Sequence, residues 1–441
     1  MALYRYTSRF GWPLLILLCS LPLIEWIVNK PLASRFDGVV LSMLSIGQVM
    51  GIIGLTMFAF NLLLTTRVKW FEDLFGGLNK VFIAHHIIGG LALIFLLAHP
   101  VFLVLSLVPS GIHEAALLLV PQTNNLPVAS GIFALLGLIA LLFVTFYTKI
   151  PYRIWLITHK LLGPVFLLAT LHVVFTPNGL SNDILLKYYM LGLCVLGLGA
   201  YAYRTLLPNV FVRRYIYTVQ GFEPKAAGVI KLNLVPEKRA LNFKAGQFIF
   251  VSFNQEGLPK EWHPFTVSSA PGSGELSITV KSLGGYTKAL SALAPVLIGQ
   301  QVRVEGAYGR FSYRNFANTN QIWVAGGIGV TPFLSMAHAL GPGPYNIDLY
   351  YSVKSDAELI DVDQLRGLQS LDAGRIFRVI PFVADRQGYL SAKYMEQVTG
   401  PLRDRDILLC GPPSMMRSLK SQLKSAGVKP GNIHSEEFSM S

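Results

Sequence analysis

The sequence predicts a membrane α-helical half followed by a soluble α/β half: a six-helix transmembrane bundle, then an antiparallel β-barrel, then a parallel α/β domain. Three observations carry this. The 441 residues are 52% hydrophobic and only 14% charged, whereas soluble proteins carry about 25% charged residues. The acidic residues are unevenly placed, with 6 in residues 1–207 and 18 in residues 208–441. Behind the last apolar run, the pattern changes to short alternating strands and then to strand–turn–helix repeats. The boundaries expected are 1–208, 209–318 and 319–441.

The membrane half has six apolar runs at 11–29, 39–64, 81–108, 127–148, 153–176 and 186–207. Each approaches or exceeds the 20 or so residues that cross a bilayer, so the first partner of the chain is lipid. The first run lacks a small-residue cleavage site and reads as a retained helix rather than a signal peptide. Cations mark the sidedness. Arg5, Arg9, Arg67, Lys69, Lys80, Lys149, Arg153, Arg204, Arg213 and Arg214 fall on one side, and Lys30, Arg35 and Lys187 on the other. By the positive-inside rule the first side is cytoplasmic, and six crossings leave both termini and the soluble half there. The same bias explains part of the net charge of +13, and no basic cluster interleaved with aromatics points to nucleic acid. Three cysteines, Cys19, Cys194 and Cys410, make neither a disulfide framework nor a thiolate metal site.

Five of the nine histidines sit inside apolar runs: His85, His86, His99, His159 and His172. Ionisable groups are costly in a bilayer and mark function. His85 and His99 are 14 residues apart on the third run, and His159 and His172 are 13 apart on the fifth. At 1.5 Å per residue each pair spans roughly 20 Å. Both runs cross in the same direction, so His85 and His159 share an inner level, and His99 and His172 an outer one. Two levels of paired imidazoles make two bis-histidine haem sites, of the b type, stacked across the membrane. Fourteen residues return to within about 40° of one helix face, but thirteen miss by about 140°. Pro164, between the two histidines of the fifth run, is expected to supply the correction by kinking the helix. His86 stays open as the alternative to His85.

In the soluble half, strands are expected at 215–219, 228–234, 247–253, 265–268, 276–281 and 301–305, enough for a small barrel. Further strands at 322–324, 347–351, 377–381 and 407–410 alternate with helices, as in a nucleotide-binding domain. Within this frame His263-Pro264-Phe265-Thr266 resembles the flavin motif of the ferredoxin–NADP reductase superfamily, in the form found in the NADPH oxidase and ferric reductase branch. Gly246-Gln247-Phe248 lies upstream as that branch has it. Val280-Lys281 and Gly284-Gly285-Tyr286-Thr287 resemble its pyrophosphate segment. Glycines there let amides approach phosphate at a helix start. Ala325-Gly326-Gly327-Ile328-Gly329-Val330-Thr331-Pro332 resembles the nicotinamide-dinucleotide loop. Cys410-Gly411-Pro412-Pro413 resembles the nicotinamide-side motif, and Glu436-Glu437-Phe438 the terminal aromatic that covers the flavin.

The resemblance implies a transmembrane oxidoreductase that takes electrons from cytoplasmic NADPH, or NADH, through FAD and two haems. The acceptor outside is a small molecule, dioxygen giving superoxide or a ferric complex. A dedicated periplasmic redox protein is the other alternative. The resemblance also implies roles. Thr266, Cys410 and Phe438 act at the flavin–nicotinamide contact. His263, Pro264, Phe265, Val280, Lys281, Gly285, Tyr286 and Thr287 hold FAD. Gly326, Gly327, Gly329, Thr331, Pro332, Gly411 and Pro412 hold the nucleotide. Lys354, with Arg386 nearby, is placed to meet a 2′-phosphate. Short external loops, no EF-hand loop and no added regulatory segment resemble a compact bacterial relative in the inner membrane. Such a relative works without calcium or an obligatory protein partner.

Overall fold

The computed structural model describes residues 10–176, 183–372 and 375–436. These fall into two compact units, one ending at Val212 and the other starting at Arg213. The first unit is helical. Its long elements are α1 (Gly11–Asn29), α2 (Gly38–Leu64), α3 (Leu78–Leu107), α4 (Leu126–Tyr147), α5 (Tyr152–Lys160), α6 (Leu162–Phe175) and α7 (Ile184–Tyr201). Among the described residues, six helical stretches are long and apolar enough to cross a membrane, α5 and α6 counting together as one.

Small residues set the packing of these helices. A Cβ on Gly47, Gly51 or Gly54 of α2 would meet Leu103, His99 or Leu96 of α3 at 2.7–2.8 Å. Their spacing of three and four places them on one face, where they let two backbones approach. The fifth crossing is broken at Leu161, which caps α5. Pro164 has no amide to offer the carbonyl of Lys160, and its ring crowds that carbonyl, so the helical ladder fails one turn before the proline. α7 runs into a π-helical turn, Ala202–Leu206, closed by a Leu207 amide bond to Ala202 at 2.8 Å.

The second unit holds two sheets. The first comprises β1 (Tyr215–Ala226), β2 (Val229–Pro236), β3 (Phe248–Phe253), β4 (His263–Thr266), β5 (Leu276–Lys281) and β6 (Gln301–Tyr308), with α8 (Gly285–Leu297) between the last two. The strand order is β4-β3-β6-β1-β2-β5 and every pairing is antiparallel. A bridge between Val267 and Ile278 brings the two edges together, so the sheet curls. Its core includes Val219, Leu232, Val251, Ile278, Leu290 and Val304.

The second sheet comprises β7 (Asn320–Gly326), β8 (Tyr345–Val353), β9 (Ser370–Asp372), β10 (Arg375–Val383), β11 (Asp406–Cys410) and β12 (Ile433–Glu436). Helices α9 (Thr331–His338), α10 (Ala392–Thr399) and α11 (Pro413–Ser425) join them. The order is β12-β11-β7-β8-β10-β9, parallel except for the β9–β10 pair. From β7 the chain winds to β8 and β10 on one side, then crosses to β11 and β12 on the other. The carboxyl ends of β7 and β11 therefore form a topological switch point, where open α/β sheets bind ligands.

Candidate redox sites

In the helical unit, the structure brings four of the five candidate histidines together as two pairs. The rings of His85 and His159 lie 6.1 Å apart between centroids, and those of His99 and His172 lie 6.3 Å apart. The break at Leu161 puts His159 on α5 and His172 on α6, so thirteen residues no longer dictate one rigid helix face. His86 stacks edge-on against His85 at 5.6 Å.

These distances test for a shared metal ion. An imidazole nitrogen lies about 2 Å from a metal it binds and about 1 Å from its own ring centre. Two rings on opposite faces of one iron therefore have centroids about 6 Å apart, which is what both pairs have. The donor chemistry fits as well. His85, His99 and His172 donate from Nδ1 to the carbonyls of Asn61 (3.2 Å), Gly47 (2.7 Å) and Pro127 (2.9 Å). A carbonyl only accepts, so each contact leaves Nε2 as the free donor atom for a metal. Glycines clear the space for two of these rings. A Cβ at Gly51 would meet His99 Nδ1 at 2.7 Å, and one at Gly131 would meet His172 Nδ1 at 2.7 Å.

In the same unit Arg35 is held by Trp26. Its guanidinium lies over the Trp26 ring at 3.7 Å and donates to the Trp26 carbonyl at 2.5 Å. The Arg35 carbonyl accepts from Ser45, two residues from the Gly47 that holds His99.

In the curled sheet, β3 and β4 align Thr266 opposite Phe248 and His263 opposite Val251. Thr266 and Phe265 are buried. His263 stacks on Tyr286 at 3.5 Å and meets Glu261 at 3.2 Å through Nε2. Burial pushes the His263 pKa down while Glu261 pulls it up, and burial wins. Burial raises the Tyr286 phenol, whose hydroxyl has no hydrogen-bond partner among the described residues. Trp262 sits between Arg214 and Arg303, 4.9 and 5.6 Å from its ring. Glu261 and Trp262 belong to no motif, and no pattern in the chain marks them. Val280 is buried in β5, and Lys281 at its end pairs with Glu358 at 3.5 Å. At the start of α8, Gly285 follows an exposed turn, and Thr287 Oγ1 accepts from the amides of Leu283 and Gly284 at 3.0 Å.

At the switch point, two glycine loops interlock. A Cβ on Gly326 would meet Pro412 Cδ at 2.7 Å, one on Gly329 the Cys410 carbonyl at 2.2 Å, and one on Gly411 the Gly326 Cα at 2.9 Å. Gly327 has φ +52°, which side chains other than glycine adopt at a cost. Thr331 and Pro332 open α9 and are buried, with Thr331 Oγ1 donating to Ile328 at 3.2 Å. Cys410 is fully buried, and burial with nearby Glu436 holds its thiol well above the ordinary range. Lys354, after β8, is exposed and makes no ion pair among the described residues, whereas Arg386 pairs with Asp356 at 2.7 Å. Phe438 lies outside the described residues.

Paired histidines in apolar helices, a curled antiparallel sheet and a switch-point sheet follow one another in this chain as they do in one known architecture. Residues 50–170 match the family described as ferric reductase like transmembrane component, 217–311 the FAD-binding domain, and 323–421 the oxidoreductase NAD-binding domain. In that order the three matches make up an NADPH oxidase/ferric reductase-like architecture. The chain thus carries a ferric reductase-like transmembrane component followed by a ferredoxin–NADP reductase-type module of FAD-binding and oxidoreductase NAD-binding domains. It is 27% identical over 206 residues to the glycine betaine monooxygenase reductase subunit of Pseudomonas aeruginosa (strain UCBPP-PA14), covering 44% of this chain and 56% of that one. It is 30% identical over 191 residues to the toluate 1,2-dioxygenase electron transfer component of Pseudomonas putida, covering 40% and 54%. The chain spans about half the length of these curated relatives. Among solved structures it is similar to the flavohaem-like FAD/NAD-binding domain of nitric oxide dioxygenase from Vibrio cholerae O1 biovar El Tor. That match has 23% identity and a TM-score of 0.43, over 51% of this chain and 98% of that one.

Proposed function

We propose that this chain is a bacterial inner-membrane NAD(P)H oxidase. It carries electrons from cytoplasmic NADPH, or NADH, through FAD and two b-type haems to an external acceptor, with dioxygen giving superoxide. The observation that carries this reading is the spacing of two imidazole pairs, 6.1 and 6.3 Å between ring centroids, in apolar helices. His85 and His159 would hold the inner haem, and His99 and His172 the outer. When bound, such haems would supply single-electron transfer.

The chain's own residues position and exclude. Residues 1–208 would form the haem domain, 209–318 the FAD domain and 319–441 the NAD(P) domain. Thr266, Pro264 and Phe265 would line the flavin ring, with His263 and Tyr286 offering aromatic faces and Phe438 covering it. Val280, Lys281, Gly285 and Thr287 would receive the pyrophosphate at the start of α8. Gly326, Gly327, Gly329, Thr331 and Pro332 would take the nicotinamide nucleotide, together with Cys410, Gly411 and Pro412. Lys354 would meet the 2′-phosphate.

Dioxygen is ranked first because Arg35, fixed by Trp26, would supply a cation on the side of the membrane expected to be external. A cation there favours an anionic product. One NAD(P)H then yields two superoxide ions, NAD(P)+ and a proton. A second reading, reduction of a ferric complex, is favoured by the family match of residues 50–170. Purified protein loaded with FAD and haem separates the two when NAD(P)H consumption is followed in air and under argon. Cytochrome c reduction in air that superoxide dismutase abolishes is expected. Negligible oxygen consumption with rapid anaerobic reduction of a ferric chelate would overturn the ranking.

A further inference from the structure

Three of the four paired histidines are oriented in one way, through Nδ1 and a backbone carbonyl. His159 is the exception. Its Nδ1 is buried and has no hydrogen-bond partner among the described residues. Its ring lies flat against the Trp155 indole instead, with centroids 5.1 Å apart and planes 9° apart. Trp155 is backed in turn by Tyr152, at 5.6 Å and 22°. Residues 152, 155 and 159 follow at spacings of three and four, which puts them on one face of α5. All three lie on α5, which ends at Lys160, so the stack against the His159 ring is built within that helix.

We infer that Trp155 is the positioning residue of His159, setting by aromatic stacking the ring orientation that a carbonyl sets at the other three histidines. This rests on the reading of His159 as an inner-haem ligand. Two consequences follow. An imidazole can slide or tilt on a stacked face, whereas a hydrogen bond pins one atom, so the inner site depends on the area of the indole. An Nδ1–H without an acceptor also leaves its imidazole the weaker donor to a metal. The inner site is thereby made unequal to the outer one by a single change in how one ligand is held.

The test uses the full chain in detergent with its haems, comparing Trp155→Met with Trp155→Phe. The readouts are haem per chain by pyridine haemochrome, the two low-spin ferric EPR signals, and the rate of haem transfer to excess apomyoglobin. Trp155→Met should displace one EPR signal and speed haem loss from that site by about 10-fold or more, the usual cost of removing a ligand's supporting contact. The other site should stay as it was, and Trp155→Phe, which keeps a stacking ring, should return both readouts most of the way. Unchanged signals and loss rates in Trp155→Met would overturn the inference. Should the methionine variant not accumulate, Trp155→Tyr and Trp155→Phe decide. Haem loss rising as ring area falls supports the inference, and rates equal to wild type sink it. His159→Ala separates this from failure of the underlying reading. If that variant keeps two haems, His159 is not a ligand at all. If it loses one while Trp155→Met is unaffected, only the role of Trp155 falls.

Discussion

At the residue scale, the charges after β8 are the ones that would decide between NADPH and NADH. Lys354 is exposed and unpaired among the described residues, while Arg386 is already engaged by Asp356 at 2.7 Å. In the proposed reading this one ammonium would meet a 2′-phosphate, and it is a point charge without the planar fork of arginine. The expected result is higher kcat/KM for NADPH than for NADH. An exposed ion pair is worth about 0.2–1 kcal/mol, so Lys354→Ala should lower the NADPH value by about 1.5- to 5-fold and leave NADH unchanged. Equal loss for both cofactors would remove Lys354 from the phosphate site. Much at this scale was legible. Histidine is so unfavourable in an apolar run that its presence announced the paired sites, and glycine-rich turns announced the switch point. Contacts between ordinary residues were not legible. Nothing in the sequence says that Glu261 turns to His263, or that Trp155 lies flat on His159, because those contacts depend on side-chain direction within a finished fold.

At the element scale, the fifth crossing carries the strongest claim. A continuous helix would leave His159 and His172 about 140° apart around its axis, yet each faces its partner on α3. The break at Leu161 permits this, and Pro164 supplies its cause. Pro164→Ala restores the missing amide and relieves the crowding at Lys160, so the helix gains a reason to run straight. The expected outcome is fewer than two haems per chain, or one displaced EPR signal, with the helical content unchanged by circular dichroism. Two haems with unaltered spectra would show that packing, not the proline, holds the break. The spans themselves were readable to within about three residues, since lipid demands a length and an apolarity that no other element shows together. Strands β9 and β12 were not. They contain three and four residues, Ser370–Asp372 and Ile433–Glu436, and join the sheet at its edges, so neither carries a hydrophobic alternation. The barrel expected for residues 209–318 proves to be a six-stranded curled sheet whose edges meet at the Val267–Ile278 bridge.

At the scale of the whole molecule, the asymmetry of charge ties chemistry to direction. Ten Lys and Arg residues flank one side of the six crossings and three flank the other. Short loops with that bias stay in the cytoplasm, so the expected arrangement has the nucleotide-binding half in the cytoplasm and Arg35 at the outer face. Direction is then a property of the fold and not of the acceptor, and it can be measured without knowing the acceptor. In sealed membrane vesicles turned inside out, NAD(P)H added to the medium should be consumed, because the reductase half faces it. In right-side-out vesicles, the same addition should do nothing until detergent opens them. The reduced product should appear in the lumen of the inverted vesicles, where a superoxide probe that cannot cross the bilayer must be loaded beforehand to see it. Activity in sealed right-side-out vesicles would reverse the orientation. Product appearing on the same side as the nucleotide would instead show that electrons never cross, leaving the two histidine levels without a transmembrane role whatever metal they hold.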